Sequence, residues 1–273
     1  MGAVLSVQVG AAVATTLFDK LGPSGTVLLR TGFAAVILVA IWRPRVPRGT
    51  SGPLRDAVLL GIVLAGMNLS FYAALDRIPL GIAVTFEFTG PFAVAVAGSR
   101  RASDLLWVAL AAGGIVLLSP GVQGSLDGLG VALALLAGGF WAAYIVLAAR
   151  VGRGFSGGQG LALAMAVAAV VLVPVGVAGG GGALGHPGLL AVGLAVAVLS
   201  SAIPYSLELE ALRRLRKGTF GVLMSLEPAV AALVGLAVLE QDLSATEMVA
   251  IALVVAASAG ALGAARAPAP VEA

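Results

Sequence analysis

An acid, Glu87, stands in the stretch GIAVTFEFTGP (residues 81–91), whose other members are apolar or small and uncharged. A second acid, Glu227, stands in GVLMSLEPA (221–229), 140 positions later and again six residues after a glycine. Other polar side chains recur at helical spacing inside apolar runs. Asn68 keeps company with Gly61, Ala65 and Tyr72; Glu208 with Ser201, Pro204 and Tyr205; Gln8 with Ala12 and Thr15. Arg30 is the one base well inside such a run. Carboxyls, amides, phenols and a guanidinium can together receive an ammonium group, a proton and a carboxylate. Prolines accompany them. Pro91 has no N–H, so the Glu87 carbonyl four residues earlier loses its helical donor, and Pro228 does the same to Met224. Pro204 is a third expected kink.

The elements that carry these residues are set by the solvent. The chain has 273 residues, 60% hydrophobic and 11% charged, with a mean hydropathy of +1.07. An ordinary soluble domain is about 25% charged, so too few charges are present to cover a water-exposed surface. Spanning a bilayer takes roughly 20 apolar residues as a helix. Ten runs qualify, at about 2–19, 24–42, 55–75, 79–98, 104–121, 128–149, 158–178, 187–212, 218–239 and 244–264. They are continuous, unlike the alternating segments of an outer-membrane barrel. The first is short, lacks the basic start of a signal peptide, and would be completed by a few residues upstream.

Charge sets the sidedness. With the N-terminus in the cytoplasm, inside loops hold 13 Lys and Arg, among them Arg43, Arg100, Arg150 and the Arg213–Lys217 cluster, and outside loops hold only Lys20 and Arg77. That asymmetry is the positive-inside pattern. The 140-residue offset maps Gly81 onto Gly221, Glu87 onto Glu227 and Asn68 onto Glu208. Five helices per copy is an odd number, so the second copy enters with opposite polarity. An inverted repeat results, with units at 1–121 and 128–265 and a cytoplasmic tail at 266–273. Secondary transporters place a substrate site at the midplane of such repeats; duplication of a purely structural bundle is the alternative. The expected fold is all-α and integral to the membrane, ten helices as two inverted five-helix repeats.

An ionisable residue at the bilayer centre costs roughly 2.5–3.5 kcal/mol on insertion scales and therefore faces the bundle interior. Glu87 shares its helical face with Ala83, Val84, Gly90, Pro91 and Val94, small enough to admit a neighbouring helix. It either exchanges a proton for an ammonium group or, as a neutral acid, only ties helices together. Arg30 has two readings as well: its head snorkels to the outer headgroups, or it binds a substrate carboxylate. Glu210 and Arg214 make an ordinary i,i+4 pair. GGGG at 179–182 reads as flexible loop, and His186 as an incidental loop residue. The absence of cysteine excludes disulfides and thiol chemistry. HExxH, Walker A and GxSxG are all absent, so no enzyme, cofactor or metal site is expected. Bases clustered in short loops rather than on one face give no nucleic-acid footprint; the expected partners are lipid, protons and a small solute.

The segments SVQVGAAVATTLFDKLGPSGTVLLR (6–30), PLGIAVTFEFTGPFAVAV (79–96), SSAIPYSLELEAL (200–212) and TFGVLMSLEPAVAALVGLAVL (219–239) resemble the EamA-type drug/metabolite transporter superfamily. Within it they most resemble the threonine/homoserine exporter family of bacterial inner membranes. The resemblance implies ten helices and proton-driven efflux of small neutral amino acids; a permease for another small metabolite, or a membrane scaffold, is the alternative. Family members begin further upstream, and the superfamily's Gly-Glu after helix 9 is here Glu240-Gln241, so no role is carried over to that glutamate. The candidate substrate or coupling residues are Glu87, Glu227, Glu208, Asn68, Tyr205, Gln8 and Arg30, with kinks at Pro91, Pro204 and Pro228.

The topology is checked by single cysteines, for which this chain offers a blank background. Replacements at Ser51 and Ser125 are expected to react with an impermeant reagent from opposite faces of the membrane. Reaction from the same face would refute the ten-helix arrangement.

Overall fold

The computed structural model describes residues 2–45, 51–97, 104–117, 126–204 and 225–264. Without water, each backbone N–H and C=O must be satisfied within the chain, and a helix does this from its own segment. Helices α1 (Gly2–Thr15), α2 (Phe18–Trp42), α3 (Ser51–Leu75), α4 (Leu80–Glu87), α5 (Thr89–Ala97) and α6 (Asp104–Leu117) are followed by α7 (Gly128–Gly154), α8 (Gln159–Gly180), α9 (Pro187–Ala197), α10 (Glu227–Val238) and α11 (Ala245–Ala264). Among the described residues, four helices are long and apolar enough to cross a membrane: Phe18–Trp42, Gly52–Leu75, Gly128–Gly154 and Gln159–Gly185. Six shorter apolar helices accompany them, and each of the ten expected runs overlaps one of these helices.

Helix α3 lies between α7 and α8, while α2 packs along α8 and against α9. The half-helices α4 and α10 cross each other, α1 lies on α9 and α10, and α6 pairs with α11. The large side chains at the centre are few. Tyr72 is fully buried, with Phe18 and Phe71 rings centred 5.9 and 6.1 Å away. Elsewhere small residues let backbones meet, which is how helices associate where lipid is as apolar as leucine. A Cβ on Gly81 would come within 2.6 Å of the Ala232 Cα, and one on Gly138 within 2.7 Å of the Glu87 carbonyl oxygen. These two crossings clamp α4 between α10 and α7. Side chains such as Val36, Val170 and Leu233 are more than 60% exposed and face the lipid.

Several boundaries differ from those read in the sequence. The run expected as one helix over 79–98 breaks at Phe88, between α4 and α5, because Pro91 leaves the last turn of α4 without its continuing donor. GGGG at 179–182 is helical rather than loop: Gly179 and Gly180 close α8, and Gly181, at φ 50°, opens the 3₁₀ turn Gly181–Gly185. Left-handed backbone at that capping position is where glycine is free to go. Helix α7 runs on to Gly154, taking Arg150 and Arg153 into its last turns, where cations suit the carbonyl end of the helix dipole. Regular helix in α2 starts after Gly22, whose φ 61° and ψ 170° interrupt the segment ahead of Pro23.

Two acids serve the ends of helices. Glu247 Oε2 accepts the Ser244 N–H at 2.7 Å while Ser244 Oγ accepts the Glu247 N–H at 3.2 Å, a reciprocal cap on α11. Asp127 caps α7 by accepting from Leu129 N (2.7 Å) and Gly130 N (3.1 Å), and its other oxygen accepts from Arg77 Nη1 at 2.8 Å. The Arg77 hydrogen bond, with the backbone donors, holds the Asp127 carboxyl below its usual 3.8. A lowered folded-state value means that the stabilisation is complete above the unfolded value and is lost as pH falls through the folded one. Asp127→Asn is therefore expected to lower Tm at neutral pH, and the difference from wild type should close as pH falls below 3.8. A gap in Tm that persists at acid pH would show that the ion pair is not its source.

Candidate functional site

Arg30 is turned into the bundle. Its Nη1 donates to Asn68 Oδ1 at 2.7 Å and to the Tyr72 hydroxyl at 3.3 Å, and its Nη2 donates to the Ser200 carbonyl at 3.2 Å. The guanidinium carbon lies 5.4 Å from the centre of the Tyr72 ring, within cation–π range. The Arg30 head is therefore turned away from the headgroup region and toward acceptors in the interior. Asn68 is oriented for the task, because its Nδ2 donates to the Leu64 carbonyl one turn back at 2.7 Å and so leaves Oδ1 facing Arg30.

The Ser200 carbonyl is available for a reason legible in the sequence. Its usual helical donor would be residue 204, which is Pro204 and has no N–H. Around it, Val198–Ala202 widen into a π turn in which Ile203 N–H bonds the Val198 carbonyl. That shift frees the Leu199 carbonyl as well, and Ser6 Oγ of α1 donates to it at 2.6 Å. Such π turns gather at functional sites. Neither Ser6 nor the Ser200 carbonyl was singled out from the sequence. The signal was present in the four-residue offset from Pro204, the same offset that joins Glu87 to Pro91.

Glu87 is the last residue of α4 and is 8% exposed. Among the described residues its carboxyl makes no ion pair within 4 Å and no side-chain hydrogen bond. The described interior thus holds a cation whose hydrogen-bond acceptors are all neutral and a buried acid that does not pair with it. Behind the carboxyl, Phe88 N–H turns back to the Val84 carbonyl at 2.9 Å, and the Glu87 carbonyl lies on Gly138. The break is at the acid itself.

Glu227 is buried and begins α10, with Pro228 next and likewise buried. Its carboxyl therefore sits at the positive end of a helix dipole. Gln8 is 2% exposed, and among the described residues its Oε1 has no hydrogen-bond partner, as is true of Ser200 Oγ. Thr15 spends its hydroxyl on the Ala12 carbonyl at 2.7 Å. Of the candidates, Arg30 and Asn68 are joined directly, with Tyr72 and Ser200, and among the described residues Glu87 makes no hydrogen bond or ion pair with that cluster. Gln8 lies on α1 outside that hydrogen-bonded cluster. Pro91 lies in α5 and Pro204 is buried just past the π turn. Tyr205 and Glu208 lie outside the described residues, as do Glu210 and Arg214.

Comparison with known proteins matches residues 128–263 to the EamA-like transporter family. Over 260 residues the chain is 43% identical to the threonine/homoserine exporter RhtA of Salmonella typhimurium, and 41% identical to that of Escherichia coli K12. Each alignment covers 94% of this chain and 88% of the relative. A solved crystal structure of another protein shares the fold, with a TM-score of 0.67 over 97% of this chain and 95% of that one, at 19% identity. By identity at that level over nearly the whole of both chains, this protein is a multi-pass membrane protein of the EamA-like transporters and belongs to the family of RhtA threonine/homoserine exporters.

Proposed function

We propose that this protein exports small neutral amino acids of the threonine and homoserine kind across a bacterial inner membrane, in exchange for protons. The observation that carries the reading is a buried guanidinium and a buried carboxyl that do not pair with each other. Among the described residues Arg30 is held by Asn68, Tyr72 and the Ser200 carbonyl and by no carboxylate, and Glu87 makes no ion pair within 4 Å. A zwitterion supplies both missing counter-charges, its carboxylate to Arg30 and its ammonium to Glu87. When the substrate is absent, a proton on Glu87 takes the place of the ammonium. One acid that binds either proton or substrate produces antiport. The relatives named above are exporters of threonine and homoserine by description, which supports both the solute and the direction.

The break at Phe88 supplies a point where exposure of Glu87 can change. We place α10, which begins at Glu227, as the repeat-related counterpart of that segment, with repeats at 1–121 and 128–265, both termini cytoplasmic and 266–273 as a tail. Gln8 lines the same route from α1. Glu208 and Tyr205 complete the counterpart of the Asn68 and Tyr72 face.

Liposomes with an imposed pH gradient test the coupling. Glu87→Gln keeps hydrogen bonding but cannot titrate, so the variant is expected to insert and yet fail to move labelled threonine against its gradient. Wild-type flux in that variant would make Glu87 a structural tie, and no flux of threonine or homoserine in wild type would favour a scaffold.

Carboxylate recognition is tested separately. A charge-assisted hydrogen bond contributes roughly 1.5–3 kcal/mol, so Arg30→Ala is expected to raise KM for threonine by at least about tenfold. Unchanged KM would remove Arg30 from the binding role and leave the class of substrate standing.

A further inference from the structure

We propose that Gln241 is a positioning residue of the transport cycle, because its side-chain carbonyl caps, from the far end of the chain, the half-helix that ends in Glu87. The first N–H groups of any helix have no partner within it. Helix α4 follows Pro79, which offers no side-chain cap, and Leu80 is fully buried, so water cannot serve. The Leu80 N–H instead donates to Gln241 Oε1 at 3.0 Å, across 161 residues of sequence.

Gln241 is itself held in place by the end of α10. Its own N–H bonds the Gly235 carbonyl at 3.1 Å, and the intervening Glu240 takes the left-handed turn at φ 54° that this closure needs. A Cβ on Gly235 would lie 2.8 Å from Gln241 Oε1, so an added methyl there would push the carboxamide aside. Further along, Gly81 of α4 rests on Ala232 of α10. The two half-helices that carry Glu87 and Glu227 are therefore fastened together at the ends remote from those acids. With eight residues at about 1.5 Å each, α4 is a rigid lever about 12 Å long. What moves its N-terminus moves Glu87. Nothing in the zwitterion site calls for Gln241, and its place follows from the backbone of α4 alone; only the flux arm of its test rests on the function proposed above.

Amide exchange read by mass spectrometry tests this on the full-length protein in detergent, without substrate. Gln241→Leu keeps the volume but removes the acceptor, and Gln241→Glu keeps an acceptor. In Gln241→Leu the segment 80–86 is expected to exchange about five- to tenfold faster, as the loss of one hydrogen bond implies, while α7 is unchanged. Gln241→Glu is expected to restore the rate. Threonine flux in liposomes is expected to fall several-fold with Gln241→Leu and to recover with Gln241→Glu. Equal exchange in Gln241→Leu and wild type, or no recovery in Gln241→Glu, overturns the cap; faster exchange with wild-type flux overturns the positioning role. Should Gln241→Leu fail to fold, Gly235→Ala displaces the carboxamide with Gln241 in place and is read in the same way. A wild type that moves no threonine would refute the substrate assigned above, and the exchange rates would still decide the cap.

Discussion

Backbone groups in an apolar interior must be paired, and this protein uses proline to leave selected ones unpaired. A freed carbonyl inside a bilayer cannot turn to water, so it either takes a donor from elsewhere in the fold or is packed where little can approach it. Both solutions occur. The Ser200 carbonyl, deprived of a donor by Pro204, takes Arg30, and the neighbouring Leu199 carbonyl takes Ser6. The Glu87 carbonyl, deprived by Pro91, lies on the bare backbone of Gly138. The position of Arg30, the π turn after α9 and the break between α4 and α5 are all consequences of this one requirement. The polar centre is built out of defects in helices.

Those defects explain how a full charge is tolerated there. Arg30 spends its donors on an amide oxygen, a phenol and a backbone carbonyl, all neutral and all pre-oriented. Among the described residues no carboxylate pairs with Arg30, and the buried acid Glu87 stands outside its hydrogen-bonded cluster. Pairing separates these groups from the acids at the rim. Asp127 and Glu247 are saturated by caps and, for Asp127, by Arg77, which suits them to fixing helix ends and leaves nothing to offer a solute.

The clamping of α4 links the charged centre to the rest of the bundle. Glycine at 81 and 138 brings α10 and α7 against it, and Gln241 supplies the cap that the preceding proline does not. A glutamate in that position would serve equally as an acceptor. Glu240, where glycine would be unstrained, holds the left-handed conformation needed to present it.

Composition and periodicity alone determined the helical membrane character, the ten apolar runs and the polar candidates, because a lipid solvent forces long uncharged helices and makes every buried charge conspicuous. Of the proline offsets, that of Pro91 falls at the break at Phe88 and that of Pro204 at the π turn, whereas Pro174 stays within α8. What the sequence left open was partnership. Arg30 read equally well as a snorkelling residue, since its distance from a helix end is visible in the sequence but the acceptors on α3 and beyond Ala197 are 38 to 170 residues away. Gln241 stood out only as a departure from the superfamily's Gly-Glu, and its capping role gave no signal, as a cap supplied across 161 residues leaves no local pattern. Glycines at 179–182 read as loop because their lack of a side chain says only what they permit, whereas close contact with α2 at Gly179 and Gly180 keeps them helical. Helix, depth and charge are local properties of a chain in lipid; which carbonyl a guanidinium reaches is decided only when the helices have packed.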